Sequence, residues 1–516
     1  MIPALGLLGL ALCLQVPAPG ADADRSEALR SEYRGLLAQE SSRLDALAER
    51  LKGEGQTEAA AEVRAQIEPP PPSEGPQRFQ PLPEVISTSG RGLANVPSAP
   101  QAAEARSLRS GTAKALFDLA RRAAEDEQYA LAGDCLRGVI AREPDHPEAR
   151  RLLGYVRTQD GWATPHAVQM LKQGRVLHPD FGWVSADWVP HLNRGELPGL
   201  VIGGRVREWL PAEEANARRS SWNPPWQIST APHFEIQTNV PLAEGVAFGR
   251  RLEALYDLFF ALFADVIGRK NLPLARRFDG ASPEATRPIK KHQVWYFASK
   301  EEYVAFFRDV LHRDEHLSLG YYMPSREAAP LRRPPRSYFY RDLQHPGDVM
   351  ATLFHEASHQ LLFESAGPST FESNAGNYWV WEGLGTYFEA VAPQPDGTLS
   401  YGSLEGTEFV RKRIGVLGRE SILPVRSLVA LSKARFHEQP DVYRNYAEAL
   451  ALTIFLMHYD GGRYRKGFLD YVEDAYHGRL RPGSSRSLKS RLNISSYEEL
   501  DRQFLDFLKR GMKPAT

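Results

Sequence analysis

Asp348-Val-Met-Ala-Thr-Leu-Phe-His-Glu-Ala-Ser-His-Gln-Leu-Leu-Phe363 is the stretch from which the rest of the chain can be understood. Met350, Leu353, Phe354, Ala357, Leu361 and Leu362 recur at helical spacing, which predicts a helix with an apolar face. Within it stands His355-Glu356-Ala357-Ser358-His359. Two histidines four apart project from one helix face and can grip a single zinc, while the glutamate between them faces a water on that metal.

Downstream, Trp379-Val-Trp-Glu382-Gly-Leu-Gly-Thr-Tyr-Phe-Glu389 begins 20 residues after His359 and offers Glu382 as a carboxylate that a second helix could bring to the same metal. Glu389 lies two helical turns beyond Glu382, so both can face inward. Two histidines and one glutamate leave a fourth coordination position for water, the arrangement a hydrolytic zinc site requires.

The pattern HExxH followed by W-x-x-E-G-x-x-x-Y-x-E resembles the gluzincin metallopeptidases, and among them the peptidase-MA group that contains the aminopeptidase N family. With His233-Phe-Glu-Ile-Gln-Thr-Asn239 ahead of a long helix, the chain also resembles a family of secreted bacterial proteins with a peptidase-like domain of unknown function. The resemblance spans roughly Trp226 to Leu508. It implies one Zn2+ per chain with His355, His359 and Glu382 as ligands and Glu356 as general base. It further implies Glu389 as the partner that orients a ligand histidine, and Tyr446 as donor to the oxyanion of a peptide-hydrolysis intermediate, with Tyr443 as the fallback. No G-x-M-E-N exopeptidase signature precedes the zinc motif, so endopeptidase cleavage is expected over aminopeptidase cleavage.

Working outward, the expected fold is α+β: a zincin-like domain over 226–512, made of a small mixed sheet and a helical lobe. Strands are expected at His233–Asn239, His292–Phe297, Gly320–Met323 and Ser337–Tyr340, with helices over Glu244–Ile267 and Lys300–Leu311. The hairpin Gly320–Tyr340 is a candidate edge along which an extended peptide could lie. Its Arg332, Arg333 and Arg336 are expected to form a solvated charge cluster.

Ahead of this domain, an α-helical region is expected. Residues 22–68 suggest an amphipathic helical arm, and 69–105, with Pro69-Pro-Pro-Pro72, suggest a linker too poor in apolar residues to fold. Residues 106–158 resemble one tetratricopeptide-like (TPR-like) unit, a helical hairpin followed by a third helix. Residues 159–225 hold a short echo, Gly161-Trp162 and Gly182-Trp183, whose two tryptophans are expected to share a compact core.

The chain has 516 residues, a length that suggests several folded units. Its 63 Lys and Arg balance 64 Asp and Glu, leaving no electrostatic footprint for nucleic acid or an anionic membrane. The apolar run Ile2–Val16 followed by small residues is expected to be a secretory signal peptide over 1–21, placing the protein outside the cytoplasm. No transmembrane segment is expected in the mature chain, in which Cys135 would be the one cysteine and a buried one. His437, His458 and His477 lack partners at ligand spacing and are expected to be surface or satisfied core residues. The partners expected are a peptide or protein substrate and, through the N-terminal helices, a protein. The rival reading is an exported binding or scaffold protein that keeps a metallopeptidase fold without turnover.

Overall fold

The computed structural model describes residues 21–87, 100–229, 231–268, 270–286, 290–313, 319–366, 376–418, 422–480 and 486–511. The leader expected at 1–21 lies outside them except for Ala21. Five strands form the central sheet in the order Gly320–Met323, Arg336–Tyr340, His292–Phe297, Phe234–Thr238, Trp226–Ile228. The three inner strands run parallel, and the two outer ones are antiparallel to their neighbours. Alternation explains the placement of Phe234–Thr238: Phe234, Ile236 and Thr238 are buried and the two residues between them half-buried. The long helix Leu242–Leu262 provides the crossover to His292–Phe297 that a parallel pair needs.

One face of the sheet carries the main core, in which Ile236, Val294 and Phe339 meet Leu252 and Leu255 of the long helix and Phe354, Ala357 and Leu361 of Pro346–Ser365. The other face, with Phe297 and Tyr338, is covered by Tyr303 and Phe307 of Lys300–Val310. Arg336 differs from the solvated residue expected. It is 8% exposed, sits within a strand, and lies over the Trp295 ring at 4.5 Å, because the strand begins one residue earlier than its apolar alternation suggests.

Upstream, the helices Pro100–Glu125, Tyr129–Arg142 and Pro147–Leu152 form the expected hairpin and third helix. They are not a detached unit: Leu116, Leu136 and Leu152 belong to the same core as the sheet and the motif helix. The helix Ala21–Gly53 closes on the hairpin through Glu40 and Arg142, whose side chains are 1% and 0% exposed and joined by hydrogen bonds of 2.9 and 3.0 Å from Arg142 Nε. The 69–105 segment also differs from a free linker. Gln77–Phe79 pairs with Leu399–Tyr401 and Val85–Ser87 with Gly161–Ala163, so borrowed partners supply the hydrogen bonds and apolar contacts its own composition lacks. Trp162 and Trp183 pack in separate small clusters, the first with Ile86 and Tyr155 and the second with Ala163, Ala167 and Met170, because each Gly-Trp pair starts its own short strand.

Helix accounts for 57% of the described residues in this mixture of helices and small sheets, and no helix among them is long and apolar enough to cross a membrane. The buried Glu40–Arg142 pair predicts that Glu40→Ala, which leaves the buried guanidinium only the Gly138 carbonyl and Glu68 at 3.5 Å, lowers unfolding free energy by about 3 kcal/mol. Denaturant unfolding checks this, and a loss under about 1 kcal/mol would mean the N-terminal helix is not held as described.

Candidate metal centre

Pro346–Ser365 includes the whole HExxH stretch, with Pro346 at its first turn where a missing N–H costs nothing. Its apolar residues enter the core and carry His355 inward, 8% exposed. The second helix, Trp379–Glu389, is buried along its whole length. Gly383 and Gly385 permit that depth. A Cβ on Gly383 would lie 2.5 Å from Thr453 Oγ1, and one on Gly385 would lie 2.5 Å from His355 Cε1. The two helices can therefore close on each other around the histidine ring.

That approach gathers three donors. His355 Nε2 lies 3.1 Å from His359 Nε2 and 3.5 Å from Glu382 Oε2, and donor atoms of the three residues all lie within 4.8 Å of one another. Ligands about 2.1 Å from one tetrahedral metal stand about 3.4 Å apart, so both of the shorter spacings suit a single small cation. The three residues could hold a metal ion.

The tautomer is set from behind. His355 Nδ1 bonds Glu389 Oε1 at 2.7 Å, and Arg413 Nη2 donates to the same oxygen at 3.3 Å while standing 3.0 Å from Oε2 as an ion pair. A carboxylate accepts, so Nδ1 carries a proton, and Nε2 is the nitrogen that faces the donor cluster. Burial opposes a charge on His355, but its bonds to Glu382 and Glu389 outweigh that and hold it up to about 10. His359, buried beside His355, is pushed down to about 3. Burial pushes Glu382 up, yet His355, His359 and the Tyr378 hydroxyl hold it below the usual carboxylate range. Positive charge is thus favoured on His355, between Glu382 and Glu389, and disfavoured on His359.

Glu356 lies on the same helix, and its Oε2 accepts from the backbone N–H of Tyr322 at 2.9 Å. Tyr322 belongs to Gly320–Met323, the edge strand, so the carboxylate is tied to the sheet margin. Burial pushes Glu356 up to about 7.

Tyr446, on Val442–His458, also lies near the cluster, close enough for the Glu382 charge to act on it. Its hydroxyl is 3.2 Å from His437 Nε2 and its ring lies under the Arg413 guanidinium at 5.1 Å. Burial keeps it protonated well beyond neutral pH. Tyr443 is 68% exposed on the same helix and plays no part.

Three residues here were not singled out by sequence reasoning. Tyr378 donates to Glu382 Oε1 at 2.7 Å, and its position four residues before Glu382 was a usable signal. His437, expected to be bland, lies 3.9 Å from Glu382 Oε1. Its Nδ1 donates to the Lys433 carbonyl at 2.9 Å, so in the neutral ring Nε2 accepts from Tyr446. Neither His437 nor Arg413 stands at a spacing that announces the site. His458 is the satisfied core histidine expected, bonded to Tyr387 at 2.7 Å, and Cys135 is buried with its thiol pushed up by burial.

A family model described as a protein of unknown function (DUF1570) matches residues 349–477, about a quarter of the chain. That span holds the three donors, Glu356, Glu389, Arg413, His437 and Tyr446. No curated protein matches the sequence.

Two substitutions test the geometry. Glu389→Gln keeps the side-chain volume but weakens the hold on His355, and metal affinity is expected to fall by about 10–100-fold with the fold intact. Gly385→Ala forces the His355 ring aside and is expected to weaken metal binding similarly. Competition titration with a chromophoric chelator reads both, and unchanged affinity in either variant contradicts the corresponding contact.

Proposed function

We propose that the chain is a zinc-dependent metallopeptidase, an exported hydrolase of peptide bonds with a zincin-like catalytic domain and a TPR-like helical region in front of it. The observation that carries this reading is the convergence of His355, His359 and Glu382 beside a half-buried glutamate tied to a sheet edge. Zinc suits two imidazoles and a carboxylate at these spacings. Held there, it would supply Lewis acidity, lowering the pKa of a water and polarising a carbonyl.

The protein's own groups do the rest. Glu356 takes a proton from the attacking water and hands it to the leaving amine, a shuttle suited to a carboxyl that burial has raised toward neutrality. Tyr322 holds Oε2, so the second carboxylate oxygen is the one presented for the transfer. The Tyr446 hydroxyl, kept protonated and braced by His437 and Arg413, is the donor for negative charge developing on the carbonyl oxygen. An extended substrate fits along Gly320–Met323, whose Tyr322 backbone already turns its N–H out of the sheet. A groove along a strand edge takes the middle of a chain as readily as its end, so endopeptidase cleavage is preferred.

Glu356→Gln is expected to retain metal and to lose at least about 100-fold in kcat on a peptide cleaved by the wild type, measured by mass spectrometry of products. Unchanged turnover removes Glu356 as base. Metal bound by the wild type with no cleavage across a diverse peptide library favours the non-catalytic scaffold instead.

A further inference from the structure

A cavity of about 140 Å³ lies between the N-terminal helix, the Pro-rich segment and the C-terminal helices, and none of its walls belongs to the metal centre. Arg30, Arg34, Arg78 and Arg465 line it, against Asp134 as the one carboxyl. Two of these charges are answered: Arg78 pairs with Asp396, and Arg34 donates to the Gly461 carbonyl at 2.6 Å. The other two are not. Arg465 is 7% exposed, its one hydrogen bond among the described residues is from Nη2 to the Leu262 carbonyl, and its buried Nε has no partner. Arg30 likewise has a buried Nε without a partner. Burial and the proximity of Arg465 pull Arg30 down to about 10, while Asp265 and Asp134 act the other way. Asp134 is the one carboxyl facing both: burial raises it, while Arg465, Arg30 and Arg137 act the other way.

Burying guanidinium N–H groups with nothing to accept them is costly, and a fold that lines one cavity with both arginines, neither in an ion pair within 4 Å among the described residues, leaves a place for an acceptor. We propose that this cavity is a binding site for a small oxyanion, a phosphate, sulfate or carboxylate group, held by Arg30 and Arg465 with Arg34 at its margin. Guanidinium forks match such oxygens in pairs, and the volume admits a group of that size. Because the site joins the helix Ala21–Gly53 to Arg465 at the start of Arg465–Tyr476, an occupant fastens the N-terminal helix to the metal-site half of the molecule.

Calorimetric titration of the full chain with inorganic phosphate, sulfate and acetate, at ionic strength held constant with chloride, tests the proposal. At least one of the three is expected to bind saturably at one per chain, and Arg465→Met and Arg30→Met are each expected to weaken it by about tenfold or more. Arg30→Met serves as the second variant should Arg465→Met not fold, since removing a charge with an orphaned Nε leaves few native bonds to lose. His355→Ala is expected to bind the same anion unchanged, which separates this site from any anion held at the metal centre. No saturable binding of any of the three up to about 20 mM, or binding lost in His355→Ala and intact in both arginine variants, overturns the proposal.

Discussion

The closeness of Trp379–Glu389 to Pro346–Ser365 is the constraint on which the site rests. Gly385 lets the second helix slide against the His355 ring, and only at that separation do Glu382 and Glu389 reach the same imidazole from its two ends. A larger residue at 385 would hold the helices apart, and the three donors would no longer share a centre. Gly383 performs the matching service on the other side, where Val442–His458 packs close and brings Tyr446 into reach.

Such closeness costs electrostatic free energy. Glu356, Glu382 and Glu389 are gathered in a buried region, where like charges repel and each ion loses its water. The structure answers with cationic partners in sequence: Arg413 behind Glu389, Glu389 behind His355, and His355 facing Glu382. What the cluster still lacks is positive charge at the point where His359 Nε2 and Glu382 also aim. A divalent cation there would relieve the repulsion and satisfy the lone pairs together, which would couple metal binding to local stability.

Much of this was legible in the sequence because it is periodic. The apolar spacing around His355, the alternation at His292–Phe297 and the carboxylates two turns apart each follow from helix or strand geometry, and the elements lie where that geometry puts them. Contacts that depend on tertiary neighbours left no such trace. Arg413 reaches Glu389 from a helix 24 residues on, His437 meets Tyr446 across a turn, and Arg336 is buried because Trp295 waits beneath it. The Pro-rich segment misled for the same reason: its strands are completed by Leu399–Tyr401 and Gly161–Ala163, which no local composition foretells. The main core likewise follows from helices of separate sequence regions sharing apolar faces, whereas chain length alone suggests several units.

Metal content of the purified chain beside His355→Ala and Glu382→Ala tests the account most directly. About one zinc per wild-type chain, lost or greatly weakened in both variants while their folds persist, is the predicted result. A wild type that binds no metal when supplied with zinc, or zinc binding untouched by Glu382→Ala, would contradict it, the first by removing the centre and the second by removing its third ligand.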